Sequence, residues 1–202
     1  MSSSLVEWSV AERRMAGETQ SGDLHLVKPL GESVLFAVAD GLGHGAAAAE
    51  AARLALETVE KCAHQPLAQV IENCNESLLQ TRGVVLTVAV LNPLDKSLEW
   101  LGVGNVRAVL VRAMPDGKAV TQSLLLSSGI VGGKLPPVRA ATLTIATGDT
   151  LILATDGIRH GFEDGLVLSA RPQQAAETIL TRDGLDTDDA LVLVATFQGR
   201  AL

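Results

Sequence analysis

The chain of 202 residues has no tyrosine, three phenylalanines and two tryptophans, so aromatic side chains make up only 2% of it. Proteins that grip single strands of nucleic acid stack bases on aromatic platforms, and few are on offer here. Nor is there the basic excess that phosphate backbones reward. The 16 Lys and Arg stand against 23 Asp and Glu, a net charge of −7. A general nucleic-acid binder is therefore disfavoured. No uninterrupted apolar run reaches the roughly 20 residues that cross a bilayer as a helix. The opening "MSSSLVEWSV" lacks the basic start and apolar core of a secretory signal. The expectation is a cytoplasmic protein with no membrane partner. Cysteine is also scarce. Cys62 and Cys74 fall in consecutive expected helices without metal-site spacing, which suits buried reduced thiols and argues against zinc. His25, His64 and His160 have no spacing that suggests ligation either.

What the chain does have is apolar content of 47%, enough for a substantial core in a single domain spanning residues 1–202. Period-2 and continuous apolar patterns place strands at Val6 to Arg13, Asp23 to Pro29 and Ser33 to Ala39. Helical spacing comes next, at Gly45 to Lys61 and at Pro66 to Gln80. Then come "GVVLTVAVL", "SLEWLGVG", "VRAVLVRA" and "QSLLLSS", which read as an antiparallel meander divided by turns. "ATLTIA" and "TLILATDG" are further strands, Pro172 to Thr181 a helix, and "ALVLVATF" a last strand. Strands this continuously apolar are covered on both faces, while few helices separate them. The fold expected is α+β: two antiparallel sheets packed face to face, with helices outside, in an αββα sandwich.

Against this background the charges that end apolar strands stand out. "LFAVADG" ends in Asp40-Gly41, "LILATDG" ends in Asp156-Gly157, and Asp188-Asp189 precede the last strand. Asp23, in "SGDLHL", precedes an early one. Gly41, Gly43 and Ala46 satisfy G-x-G-x-x-A between a strand and a helix, as a dinucleotide fingerprint requires. That fingerprint needs a second strand ending in an acid about 20 residues on. Here Glu57 and Glu60 still lie in helix and another helix comes after, so the nucleotide reading is disfavoured and ranks third among the functions weighed. A single Asp-Gly is commonly a turn, as with Asp116 in "PDGK" and Asp149 in "TGDT". Several carboxylates gathered at strand ends are a different matter. They repel one another and lose solvation unless cations neutralise them. Oxygen donors without a His or Cys set suit Mg²⁺ or Mn²⁺, and a pair of such ions polarises phosphoryl groups and yields hydroxide at neutral pH.

"VADGLGHG", "GDTLILATDG" and "DDALVLVA", in that order, with "SGD" upstream and "GVGNVRAVLV" between, resemble the PP2C (PPM) family of metal-dependent serine/threonine phosphatases. Within it the chain is similar to the short bacterial SpoIIE/RsbX type, whose single-domain members include stressosome feedback phosphatases. The resemblance spans nearly the whole chain. It implies a PP2C-like sandwich with two Mn²⁺ or Mg²⁺ ions in the cleft between the sheets. Asp40 would bridge both, and the Gly41 carbonyl would bind one. Asp156 and Asp188 would complete the shell of the other, and Asp23 would act on the first, directly or through water. On this resemblance Asp40, Asp156 and Asp188 carry catalysis by a bridging hydroxide that attacks phosphorus directly. The substrate implied is a phosphorylated regulatory protein, stressosome components being the expectation. Two features depart from larger members. Leu42 stands after Asp40-Gly41 where they have histidine, so His44 is read either as a general acid toward the serine leaving group or as a hydrogen-bonding residue at the helix start. The segment Gly157 to Thr187 is short, so the flap is expected to be reduced or absent. Arg13 and Arg14 are candidate phosphate contacts or merely solvated arginines. A pseudophosphatase that only binds its partner is the rival reading.

Overall fold

The computed structural model describes residues 5–113, 119–164 and 171–199. Ten strands and three helices run β1 (Val6–Arg13), β2 (Asp23–Leu30), β3 (Ser33–Gly41), α1 (Ala46–Cys62), α2 (Leu67–Leu78), β4 (Val84–Asn92), β5 (Ser97–Val103), β6 (Arg107–Ala113), β7 (Ala119–Ser123), β8 (Ala141–Thr144), β9 (Thr150–Ala154), α3 (Pro172–Asp183) and β10 (Ala190–Phe197). They form two antiparallel five-stranded sheets, β1-β10-β9-β6-β7 and β2-β3-β4-β5-β8. The turn carrying Asp116 lies outside the described residues, as do residues 165–170 of the expected flap segment.

Three apolar clusters fill the gaps between four layers. Phe36, Val38, Ala89 and Trp100 from one sheet meet Leu151, Leu153, Leu191 and Leu193 from the other. Helices α1 and α2 cover the outer face of the β2–β8 sheet through Ala51, Ala55, Val59, Val70 and Ile71. Helix α3 covers the other sheet, where Ala176 and Ile179 meet Ile152, Val192 and Val194. Consecutive residues of β10 thus point into two different cores, and all eight of its residues are buried. This is why its sequence shows no alternation. The alanines of α1 serve close approach. A Cβ on Gly41 would stand 2.1 Å from the Ala48 carbonyl oxygen, so the end of β3 lies directly against the helix backbone.

The fold departs from the sequence reading in the middle of the chain. The four strands read as one meander are split between the sheets, β4 pairing with β5 and β6 with β7. The crossing is made at Gly104, whose φ of +97° suits glycine and whose missing Cβ would lie 2.1 Å from a Val85 methyl. Thr87 secures the crossing by donating to the Val106 carbonyl at 2.6 Å. "QSLLLSS" is a strand only through Ser123. Leu124 and Leu126 turn instead into the space beside Gly102, where a Cβ would meet their methyls at 3.1 and 2.4 Å. Packing of those side chains overrides the strand propensity of the run.

Candidate metal centre and active cleft

Both Asp-Gly pairs and the Asp-Asp pair come to the same end of the sandwich. Asp40, Asp156 and Asp188 line one cleft of about 260 Å³, together with His44, Asn105 and Thr187. Asp40 enters from β3 and Asp156 from the end of β9, so the two sheets contribute one carboxylate each, and Asp188 arrives just before β10. Asp23 stands behind Asp40, its direct partner across β2 and β3. Like charges facing each other in this register are unfavourable.

Burial makes the conflict sharper. Asp23 is 3% exposed, and its Oδ2 has no hydrogen-bond partner. Loss of solvent pushes its carboxyl up to about 7; the Thr155 hydroxyl opposes this while Asp189, Asp156 and Asp188 add to it. Asp40 is pushed to about 8, first by burial and then by the charge of Asp23, Asp156, Asp188 and Asp189. Asp188 is also raised by burial, with the Asp189 amide and His44 acting the other way. A buried oxygen with no partner and a set of destabilised carboxylates fit a hard divalent cation, because oxygen-only donors of this kind suit Mg²⁺ or Mn²⁺. Among the described residues no three His, Cys, Asp or Glu groups are already drawn to ligand distance. The carboxylates come from both sheets and would turn toward one another around an ion.

The local scaffold explains how each carboxylate is held. Gly41 donates to the Gly22 carbonyl at 3.0 Å, pinning the chain after Asp40. Gly157 has no room for a side chain, since a Cβ would come within 1.9 Å of the Asp189 carbonyl oxygen. Arg107 fixes the next two residues by donating to the Ile158 and Arg159 carbonyls at 2.6 and 2.8 Å while its guanidinium lies over the Phe162 ring.

Two residues passed over in the sequence contribute directly. Asn105 donates from Nδ2 to Asp156 Oδ2 at 2.9 Å, setting that carboxylate's orientation. Asp189 faces inward, where its two oxygens accept from the amides of Met15 at 2.8 Å and Gly22 at 2.7 Å. Asp188 accepts the Asp189 amide at 2.8 Å and lines the cleft. The two adjacent aspartates therefore divide the work, one structural and one at the cleft. The only sequence signal for this was the doublet itself, since neighbouring residues at a strand start face opposite ways.

His44 makes the hydrogen bond near the helix start that one of its two readings required. It lies just before α1, and its Nδ1 sits 2.5 Å from Glu18 Oε1, yet it also lines the cleft. Arg13 pairs with Asp186 at 3.2 Å and Arg14 donates to the Thr19 carbonyl. Neither lines the cleft. His25 pairs loosely with Glu12 at 3.9 Å, and both cysteines are free.

Residues 31–198 match the family model described as Stage II sporulation protein E. The chain belongs to the SpoIIE family. It is 29% identical over 153 residues to the phosphoserine phosphatase RsbX of Bacillus subtilis (strain 168), covering 76% of this chain and 75% of that one. A chain solved in work on the bacterial stressosome, as a modular system adapted to control secondary messenger signaling, superposes with a TM-score of 0.85. It is 27% identical and covers 94% of this chain and 98% of its own. RsbX in complex with magnesium superposes with a TM-score of 0.84 at 25% identity, over 96% of each chain. Two five-stranded sheets between helices are the layering of PP2C phosphatase domains, as the sequence motifs led us to expect. No helix among the described residues is long and apolar enough to cross a membrane.

Proposed function

We propose that this chain hydrolyses phosphoserine or phosphothreonine on a bacterial regulatory protein, with two Mn²⁺ or Mg²⁺ ions held by Asp40, Gly41, Asp156 and Asp188 and assisted by Asp23. It is a PP2C-type serine/threonine phosphatase, similar to RsbX. The observation that carries the reading is the directly opposed pair of buried Asp23 and half-buried Asp40, in a cleft shared by Asp40, Asp156 and Asp188. Such an arrangement is costly without cations, and a module that only docked a partner would have no use for it. This is the ground for preferring catalysis over a pseudophosphatase.

When bound, the divalent pair supplies hydroxide for in-line attack on phosphorus and offsets charge on the phosphoryl oxygens. The protein's own residues set the stage. Asp40 and Asp156 hold positions from opposite sheets, Asn105 fixes the orientation of Asp156, and Asp189 keeps Gly22, next to Asp23, in register. His44, with Glu18 at Nδ1, would hand a proton to the departing serine or threonine oxygen, a role its position in the cleft lining supports. The whole of residues 1–202 is proposed to act as one domain in the cytoplasm. A stressosome-type phosphoprotein is the favoured substrate, supported by the likeness to RsbX and to the stressosome chain. The test is phosphate release from a panel of phosphorylated stressosome-type proteins during titration with Mn²⁺ and Mg²⁺. Release that needs metal and stops with EDTA is expected; release independent of metal would overturn the reading.

A further inference from the structure

Among the described residues the cleft is lined by three aspartates and one histidine but by no lysine or arginine. A phosphoserine side chain carries close to two negative charges, and a cation at the rim would hold the phosphoryl oxygens that face away from the metal ions. Arg82 occupies that rim. It lies in "LLQTRGVV", between α2 and β4, on a backbone fixed from both sides. Before it, the Thr81 amide and hydroxyl both donate to the Leu78 carbonyl at 2.8 Å. After it, the Gly83 amide donates to Thr81 Oγ1 at 3.0 Å, and the Gly83 carbonyl accepts the Leu42 amide at 3.1 Å. That last bond joins the arginine's loop to the loop after Asp40.

The side chain reaches across this junction. Arg82 Nη1 stands 2.7 Å from the point where a Cβ would sit on Gly43, and Gly43, at φ +86°, lines the cleft. Glycine here leaves room for the guanidinium as well as permitting the turn. Among the described residues no carboxylate or carbonyl engages the Arg82 side chain. Elsewhere, Arg107 is held by two carbonyls, and neither it nor Arg13 lines the cleft.

We infer that Arg82 is the substrate-binding residue that receives the peripheral oxygens of the phosphoryl group at the cleft mouth. A guanidinium offers two parallel donors to a phosphate, a match that lysine does not reproduce. This inference rests on the phosphatase reading for its substrate, while its binding chemistry stands by itself. Arg82→Ala and Arg82→Lys should be compared with the wild type in saturating Mn²⁺, with KM and kcat for a phosphoprotein measured alongside calorimetric binding of inorganic phosphate. For Arg82→Ala we expect KM and the phosphate Kd to rise about 10- to 100-fold, the loss of a charge-assisted contact. Arg82→Lys should recover part of this, and the rise in melting temperature produced by Mn²⁺ should be unchanged in both. Wild-type KM and phosphate affinity in Arg82→Ala would overturn the assignment, and so would loss of the Mn²⁺ stabilisation, which would mark a residue that supports the metal loop. If the wild type hydrolysed no phosphoprotein, the phosphatase reading alone would fall. Phosphate binding abolished in Arg82→Ala would then still uphold the assignment, and equal binding, or none in the wild type, would refute it.

Discussion

The two Asp-Gly strand ends look alike in sequence and differ in the fold. Asp40 faces Asp23 across the β2–β3 ladder, and the pair is pushed to about 8 and about 7. Asp156 is exposed and takes a hydrogen bond from Asn105. Both glycines are forced by backbone contact, Gly41 on α1 and Gly157 on the residue before β10. One half of the cleft is thus electrostatically unfinished and the other is geometrically set. On the proposed reading, metal would complete the first and be oriented by the second.

The largest effect should come from removing the charge that joins the halves. Asp40→Asn is expected to cut phosphate release by about 1000-fold or more, given what a positioned metal hydroxide contributes. Its EDTA-treated form should melt no lower than the wild type, because a buried repulsion has gone. Asp156→Asn should also lose activity without that gain in metal-free stability. Equal metal-free melting shifts for the two would erase the contrast.

The glycines come next. Gly41→Ala and Gly157→Ala each place a methyl about 2 Å from a carbonyl oxygen and should lose about 3 kcal/mol or more in denaturant unfolding. Gly133→Ala, where the nearest atoms lie at 3.4 Å and beyond, should change stability by roughly 0.5 kcal/mol or less. A mild Gly157→Ala would mean that the exposed half is less tightly set than its backbone contacts imply.

Acidity separates the halves more gently. Asp23 and Asp40 hold protons more tightly in the fold than at their ordinary value of 3.8. Their contribution is therefore fully present below that value and is lost as pH rises through about 7 and about 8. His25 is lowered from 6.5 by burial and acts in the opposite sense, but it is neutral above that range. The metal-free protein should accordingly melt at falling temperature as pH rises toward about 8 and level off above it, and saturating Mn²⁺ should flatten or reverse the slope, since the ion competes with protons for the same oxygens. A flat profile with EDTA would remove the electrostatic half of the comparison.

The smallest effect belongs to orientation. Asn105→Ala should weaken Mn²⁺ binding by about 10-fold, as is typical when a partner that orients a ligand is lost, with little change in metal-free melting. Calorimetric titration of the metal reads this directly.

How much of this was legible in the sequence depended on whether a residue's role came from its own element. The strand-end aspartates could be read because charge is anomalous after an apolar run. The double-sided burial of β10 could be read because its apolar run does not alternate. The passage between sheets at Gly104 could not, since the same turn residues serve a hairpin within one sheet. Leu124 and Leu126 were misplaced because their packing partner is an absent side chain, that of Gly102. Asn105 and Asp189 act on residues 51 and 167 positions away, and no local pattern records such a distance.

The inward turn of Asp189 also bears on when the site comes into being during synthesis. Its oxygens tie down the amides of Met15 and Gly22, near the start of the chain, from a position near its end. A nascent chain still lacking its last strand holds Asp23 and Asp40 against each other without the brace on Gly22, and without β10 beside β1. Contacts this distant in sequence close late and slowly. The cleft is therefore assembled only once β10 has been made, and a chain cut short before Asp188 should accumulate with the edge of β1 unpaired, the kind of exposed strand edge on which unfinished chains aggregate.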